Sequence, residues 1–325
     1  MKVNTTIGKY VFLTLLLISI ILYAYYYFSN ENKKTQEISY DKIKNYLIND
    51  SSLAKSTKPI LWIHNEYKIN DRNWQSFGSR NSDELNKPLI YITVDSIIKH
   101  CDKSFKICLI DDNSFNNLIP GWIYDLDKIS DPLRENYRFI AMLKLIHLYG
   151  GMYIPSSFLC MKDLDELYKT GTENKKAFVS EQLSKYSDVD IQLSNNIIGS
   201  NKENPTIMEM IEYMEKLFLI DNTSELKFLN KISLYLDDIK SQEKLNVIEG
   251  QYLGLYDDNG DIITLDRMLS DNDNLDISEE AYGINIPLDD IYVSKKHQWF
   301  GKLEPDGIVN SSTFIGKKIK QMYNL

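Results

Sequence analysis

Arg138 to Ser157 reads RFIAMLKLIHLYGGMYIPSS. The stretch is a buried helix, a Gly-Gly break and a short strand that ends in small hydroxyl residues. Upstream, Ser130 or Asp131 suits the helix cap, and Pro132 suits the first turn, where its missing N–H costs nothing. From Leu133 the run is largely apolar to Tyr149, and Gly150 supplies the left-handed residue that closes such a helix. Glu135 and Arg138 stand three apart and share a face. The same face continues through Met142, Leu145 and Tyr149, so a charged stripe runs into an apolar one that faces a core. An arginine at the mouth of that stripe is placed to hold an anion.

Working upstream, Pro59 to His64 (PILWIH) is a short apolar run suited to a buried strand. Leu89 to Cys101 has β-branched content but carries Ile90, Val94, Ile97, Ile98 and Cys101 at helical spacing, which predicts a helix. Phe105 to Ile110 predicts a second strand, which ends at Asp111-Asp112. Strands alternating with helices predict an α/β, Rossmann-like domain with a mostly parallel central sheet, and the helix of Pro132 to Tyr149 packed on it. Downstream, Asn195 to Gly199 reads as a strand and turn, and Pro205 to Leu219 as a helix with Ile207, Met210, Ile211, Met214 and Leu217 inward. Tyr252 to Leu265 reads as a hairpin around Asn259-Gly260, a favoured type I′ pair. A calcium loop at Asp257 to Asp261 is disfavoured, because its glycine is misplaced and no closing Glu follows. Ser270 to Asp276 reads as an acidic loop.

The chain has 325 residues, 43% of them hydrophobic, enough for one large core or two modest ones. A formal charge of -9 argues against a nucleic-acid partner, which wants a basic footprint. Cys101, Cys108 and Cys160 have no metal spacing; Cys101 and Cys108 are close enough in sequence to pair in an oxidising lumen, though buried thiols more often stay free. Four scattered histidines make no H-x-x-x-H pair.

The N-terminus carries a second signal. After a short tail, residues 1–9, Tyr10 to Phe28 runs without a charge, long enough at about 1.5 Å per residue to cross a hydrocarbon core of about 30 Å. Tyr10 at one end, and Tyr23, Tyr25, Tyr26, Tyr27 and Phe28 at the other, form aromatic belts. A cleaved signal peptide is the alternative, but its apolar core is usually shorter and no small-x-small site follows. Lys2 and Lys9 balance Lys33 and Lys34, so charge barely sets the orientation. The expectation is a transmembrane signal anchor at residues 10–28, a polar stem at 29–57 and a domain at 58–325 on the lumenal or external side of a membrane.

The Arg138 block is where the chain resembles a family, the capsular-polysaccharide-synthesis type of glycosyltransferase, related to enzymes named for a DxD sugar-binding region. The shared pattern is an acid, two residues, an Arg, a helix ending in Tyr-Gly-Gly, then a hydrophobic strand that enters an acidic motif. Here Glu135, Arg138, Tyr149-Gly150-Gly151 and Met152-Tyr153-Ile154 take those places. Pro155-Ser156-Ser157 stands where relatives carry the acids. Weaker likeness covers Pro59-Ile60-Leu61-Trp62 and Leu109-Ile110-Asp111-Asp112 and thins after Tyr168, about a third of the chain.

The resemblance implies a GT-A-type nucleotide-sugar transferase fold, a nucleotide-diphosphate sugar donor and a glycan or polysaccharide acceptor. It implies a divalent metal, manganese or magnesium, but the ligand motif is absent. Catalytic candidates are Glu135, Asp111 and Asp112; Asp111-Asp112 is equally suited to a turn or cap. Arg138 is the candidate cation for the diphosphate, or else the structural partner of Glu135. Trp62 and His64 share a strand face and suit either a base-stacking role or the core. Gly150 and Gly151 permit close backbone approach, Tyr153, Ser156 and Ser157 line the strand end, and Trp299 lies in a polar segment of mobile character, His297 to Phe300. Loss of the acidic motif leaves open an alternative: a degenerate member that binds, or builds a membrane or virion surface, without turnover.

Overall fold

The computed structural model describes residues 58–65, 87–130, 133–184, 190–220, 225–271 and 275–323. The expected tail, membrane span and stem lie outside them, as do Asp131 and Pro132. Among the described residues no helix is long and apolar enough to cross a membrane.

The first half alternates as its sequence predicts: β1 (Ile60–His64), α1 (Pro88–Cys101), β2 (Lys106–Ile110), α2 (Ser114–Leu118), α3 (Leu133–Tyr149) and β3 (Gly151–Pro155). Then come β4 (Phe158–Cys160), α4 (Asp165–Gly171), β5 (Ala177–Leu183), β6 (Ile191–Ser200), α5 (Pro205–Ile220), α6 (Glu225–Ser241) and β7 (Leu245–Ile248). The C-terminal part holds α7 (Leu265–Met268), β8 (Gly283–Asn285) and four helices: α8 (Leu288–Val293), α9 (Gln298–Gly301), α10 (Pro305–Val309) and α11 (Phe314–Tyr323).

Six strands form one sheet in the order β2-β1-β3-β6-β5-β7, and β4 pairs with β8 in a second, small one. β1 runs parallel to β2 and β3, and β5 parallel to β7; β6 runs against both β3 and β5. Among the described strands of the large sheet, only β6 is reversed, so the sheet is mostly parallel.

Both faces of β1 are buried, which is why PILWIH is apolar without alternation. Trp62, Cys108, Tyr153, Ile198 and Val179 are register neighbours across five strands and share one face. That face is covered by α3, through Ile140, Ala141, Leu143 and Ile146, and by α5, through Ile207, Met210, Ile211 and Met214. Leu61, Ile63, Leu109, Met152 and Ile154 point the other way and are equally buried. The β-branched run of Leu89 to Cys101 is helical because its apolar stripe is buried: Ile90, Val94, Ile97 and Cys101 are all covered.

Gly150 and Gly151 have φ of +74° and +96°. The Gly150 N–H closes the helix on the Ile146 carbonyl at 2.8 Å. A Cβ on Gly151 would lie 2.0 Å from the Ile60 carbonyl oxygen, so backbone packing of β3 on β1 demands glycine there.

One sequence expectation needs correction. The hairpin of Tyr252 to Leu265 shrinks to a single antiparallel bridge, Tyr256 with Ile262, because residues 250–253 form a 3-10 turn. Its turn is not type I′: Gly260 alone has positive φ, and the Asp257 carboxylate accepts the N–H groups of Asn259 and Asp261, both at 2.9 Å. All three cysteines are buried and free, the outcome the sequence favours over a Cys101–Cys108 pair. Cys101 faces Cys160 at 3.8 Å between sulfurs, while Cys108 lies in the core on the α3 side of the sheet.

Candidate functional site

Three parallel strands deliver their C-terminal ends to one place. His64 ends β1, Asp111-Asp112 follow β2, and Tyr153 to Ser157 end β3. The neighbouring start of α3 supplies Glu135 and Arg138, three apart and therefore on one face.

Arg138 is the centre of the group and only 6% exposed. Its Nε donates to Asp112 Oδ1 at 2.8 Å and one terminal nitrogen to Oδ2 at 2.5 Å, a two-pronged grip on a single carboxylate. The other terminal nitrogen donates to Glu135 Oε1. His64 Nε2 lies 2.9 Å from Asp112 Oδ1. Burial pushes the Asp112 carboxyl up, but hydrogen bonds from His64 and Arg138 outweigh it and hold the group well below the usual carboxylate range. Since an ionised carboxylate only accepts, Nε2 of His64 carries the proton. The imidazole is stacked on Phe115, 5.5 Å between centroids and 6° between planes. Tyr153 stands near the group; burial first, and then the Glu135 carboxylate, push its hydroxyl's pKa up.

The two aspartates therefore part company. Asp111 closes the turn that leads into α2: its Oδ1 accepts from Ser114 N–H at 2.9 Å and from the Ser114 hydroxyl at 2.6 Å. Asp112 belongs to the arginine. Glu135 is the accessible acid of the group, its side chain 53% exposed.

Of the two roles its strand position suits, Trp62 takes the core one. Its ring is fully buried, and Nε1 donates to the Gly150 carbonyl at 3.0 Å, so it welds β1 to the Gly-Gly break and offers no face to a ligand. The segment His297 to Phe300 takes the anchored form of the two its sequence allows. It forms α9, pinned by fully buried Phe300 and by His297, which sits 2.6 Å from Asp266 and 2.9 Å from Ser294. Trp299 stays 45% exposed, edge-on to Phe300 at 5.6 Å, and among the described contacts it does not reach the Arg138 group.

Ser156 and Ser157 form the turn that joins the large sheet to the small one. The Ser156 carbonyl accepts from Thr93 Oγ1 at 2.6 Å, and the Ser157 carbonyl from Ile286 N–H at 3.4 Å. A divalent ion does not fit this donor set. Pro155 has no ligating side chain, Asp111 is occupied by its turn and Asp112 by a guanidinium. Among the described residues no three His, Cys, Asp or Glu side chains gather to hold a metal.

Phe115 is the partner that sequence reading missed. Asp111 three residues before Ser114 is a turn signature, and the turn it closes places Phe115 in the first turn of α2 beside His64. Asp289, which adds negative charge near Tyr153, has no comparable signal.

No family model and no curated protein matches the sequence. Among solved structures, the chain is similar to the glycosyltransferase GlyE of Streptococcus pneumoniae TIGR4 in its apo form: 12% identity over 61% of this chain, TM-score 0.36. That match spans under half, 46%, of the GlyE chain. It is also similar to the galactosyltransferase LgtC in complex with donor and acceptor sugar analogs, at 9% identity over 82% of this chain and 95% of that one, TM-score 0.40. Likenesses this faint carry no argument about activity, which rests on the chain's own residues.

Proposed function

We propose that this is a glycosyltransferase-like protein of the GT-A type, anchored in a membrane through residues 10–28. It takes a nucleotide-diphosphate sugar outside the ends of β1, β2 and β3 and passes the sugar to a glycan or polysaccharide acceptor. The observation that carries the reading is the order β2-β1-β3: the chain moves from β1 to one side and then to the other. The resulting crevice, at the carboxyl ends of parallel strands, is where open α/β sheets bind ligands. In this chain that position holds the His64–Asp112–Arg138–Glu135 array instead of apolar residues.

In such a transfer the bond from the anomeric carbon to the diphosphate oxygen breaks, and an acceptor hydroxyl forms the new one, losing a proton. Glu135, accessible and held by Arg138, is the candidate to take that proton. Arg138 is already balanced by two carboxylates, so charge compensation for the diphosphate has to come from elsewhere on the chain. That balance, together with Pro155-Ser156-Ser157, favours one second reading: a degenerate member that binds sugar or nucleotide without turnover.

Calorimetric titration of the full-length chain with uridine and guanosine diphosphates, with manganese and then with chelator, tests the proposal, alongside assay of nucleotide-sugar hydrolysis. Binding that chelator leaves unchanged, with hydrolysis, supports the transferase. Binding without hydrolysis supports the degenerate reading, and no binding in either condition overturns both.

A further inference from the structure

Cys101 ends α1 and Cys160 ends β4, 59 residues apart. Both are fully buried, and their sulfurs lie 3.8 Å apart. The seam that brings them together is built by two other contacts. Thr93 Oγ1 donates to the Ser156 carbonyl at 2.6 Å, and Ser96 Oγ accepts the Cys160 N–H at 2.9 Å. Thr93 and Ser96 of one helix thus hold residues 156 and 160, and Cys101 at the end of that helix meets Cys160 sulfur to sulfur. The third cysteine is on the other side of the sheet, where Cys108 pairs in register with Trp62.

From this geometry we propose that Cys101 and Cys160 form a structural disulfide when the chain folds in an oxidising compartment. Bringing the sulfurs from 3.8 Å to the bonded separation of about 2.0 Å also releases the Cys160 thiol from the Lys162 carbonyl, which it meets at 3.0 Å. The loop so closed runs through β2, α2, α3 and β3, and therefore contains Asp112, Glu135 and Arg138. It holds the candidate site to the small sheet covalently, whatever that site binds.

The oxidant is a small-molecule disulfide of the glutathione class. One thiolate attacks a glutathione disulfide sulfur, forming a mixed disulfide and releasing one glutathione thiolate. The second cysteine's thiolate attacks the protein-side sulfur of that mixed disulfide, forms the Cys101–Cys160 bond and releases the other glutathione. The two protons lost by the cysteines end on the two glutathione thiols. Because burial pushes the Cys160 thiol's pKa well up, reinforced by the Cys101 thiol beside it, exchange belongs to the folding chain, before the seam closes.

The test is to refold reduced, denatured full-length chain in glutathione and its disulfide, alkylate under denaturing conditions, and map peptides by mass spectrometry. The expected product has lost two hydrogen atoms, joins the Cys101 and Cys160 peptides, and is alkylated at Cys108 alone. Its urea midpoint should rise by on the order of 1 M over the reduced chain and fall back on reduction. Cys108→Ser should leave the crosslink intact, and Cys101→Ser should abolish it. Three alkylated cysteines after oxidative refolding, a bond that includes Cys108, or a lowered midpoint would each overturn the proposal. None of these readouts depends on nucleotide binding, so failure here is separable from failure of the transferase reading.

Discussion

Arg138 grips both oxygens of Asp112, 26 residues away in sequence, and so fastens the start of α3 to the end of β2. The pair is almost dry on the arginine side, and Glu135 and His64 are further partners of it. Taking such a pair out of water is expensive, and the exchange breaks even only with good geometry and satisfied lone pairs. A purely structural need to join helix to strand is more cheaply met by apolar packing, which α3 already has through Ile140 to Ile146. A charged join at the carboxyl ends of parallel strands is the arrangement expected where the groups also serve a polar ligand.

Asp112→Ala should be among the most damaging single changes to the domain. It strips a buried guanidinium of its two-pronged partner and should cost about 3–5 kcal/mol. Glu135→Gln removes a half-exposed partner and should cost about 1 kcal/mol or less. Urea unfolding of the two variants should give clearly separated midpoints; equal midpoints would mean that Asp112 is not the dominant partner.

Acid stability should carry the mark of the same carboxylate. A carboxyl whose folded-state pKa lies below its unfolded value, about 3.9, stabilises the fold at every pH above that value. The contribution fades as pH falls from there through the folded value. Asp112 is depressed in this sense by His64 and Arg138 against the opposing effect of burial. Wild-type stability should therefore drop more steeply below about pH 4 than that of Asp112→Asn. Unfolding midpoints taken from pH 6 down to pH 3 check this, and parallel curves would refute it.

Gly151→Ala should fail where Gly121→Ala is tolerated. Both glycines have positive φ, +96° and +75°. The added carbon at position 151 meets backbone of β1 at 2.0 Å, whereas nothing lies within 4 Å of the one at 121. Gly121→Ala should show only the backbone strain of about 1–2 kcal/mol. Gly151→Ala should exceed about 4 kcal/mol or give no folded protein, because β3 cannot leave β1 without breaking the sheet. Circular dichroism melts of the two variants decide it.

What the sequence disclosed follows the strength of its periodic signals. Helix α3 is legible because a long apolar stripe ends at a Gly-Gly break whose second glycine has no steric alternative. Helix α1 is legible despite its isoleucines because helical spacing persists for three turns. The bridge at Tyr256 and Ile262 misleads because Asn-Gly fits a type I′ turn, while the Asp257 side chain captures the local N–H groups and bends the chain differently. The site is half legible. Arg138 and Glu135 announce themselves as charges on an apolar helix. Whether Trp62 faces a ligand or the core depends on the Gly150 carbonyl it meets, 88 residues on, which no local pattern encodes. Cys160 in the same way reaches Cys101 only through the packing of α1 on β4.

Pro155→Asp tests whether an acid at the end of β3 brings a metal to the proposed diphosphate site. Pro155 is the register partner of His64 on β1, and register partners share a sheet face. A carboxylate placed there emerges at the end of β3 on the face where His64 stands, next to Asp112. Manganese, a hard cation that favours carboxylate and phosphate oxygens, then has a ligand from the protein and others from a bound diphosphate. Titrated with uridine diphosphate, the wild-type chain should show less than a threefold difference between manganese and chelator, whereas Pro155→Asp should bind at least tenfold more tightly with manganese, about 1.4 kcal/mol. Ser156→Ala serves as the control, since the polar contact made by that residue runs through its carbonyl to Thr93 and survives the change. If Pro155→Asp stays indifferent to manganese while still binding nucleotide, the strand end is not where the diphosphate lies, and the crevice must be sought away from Pro155-Ser156-Ser157.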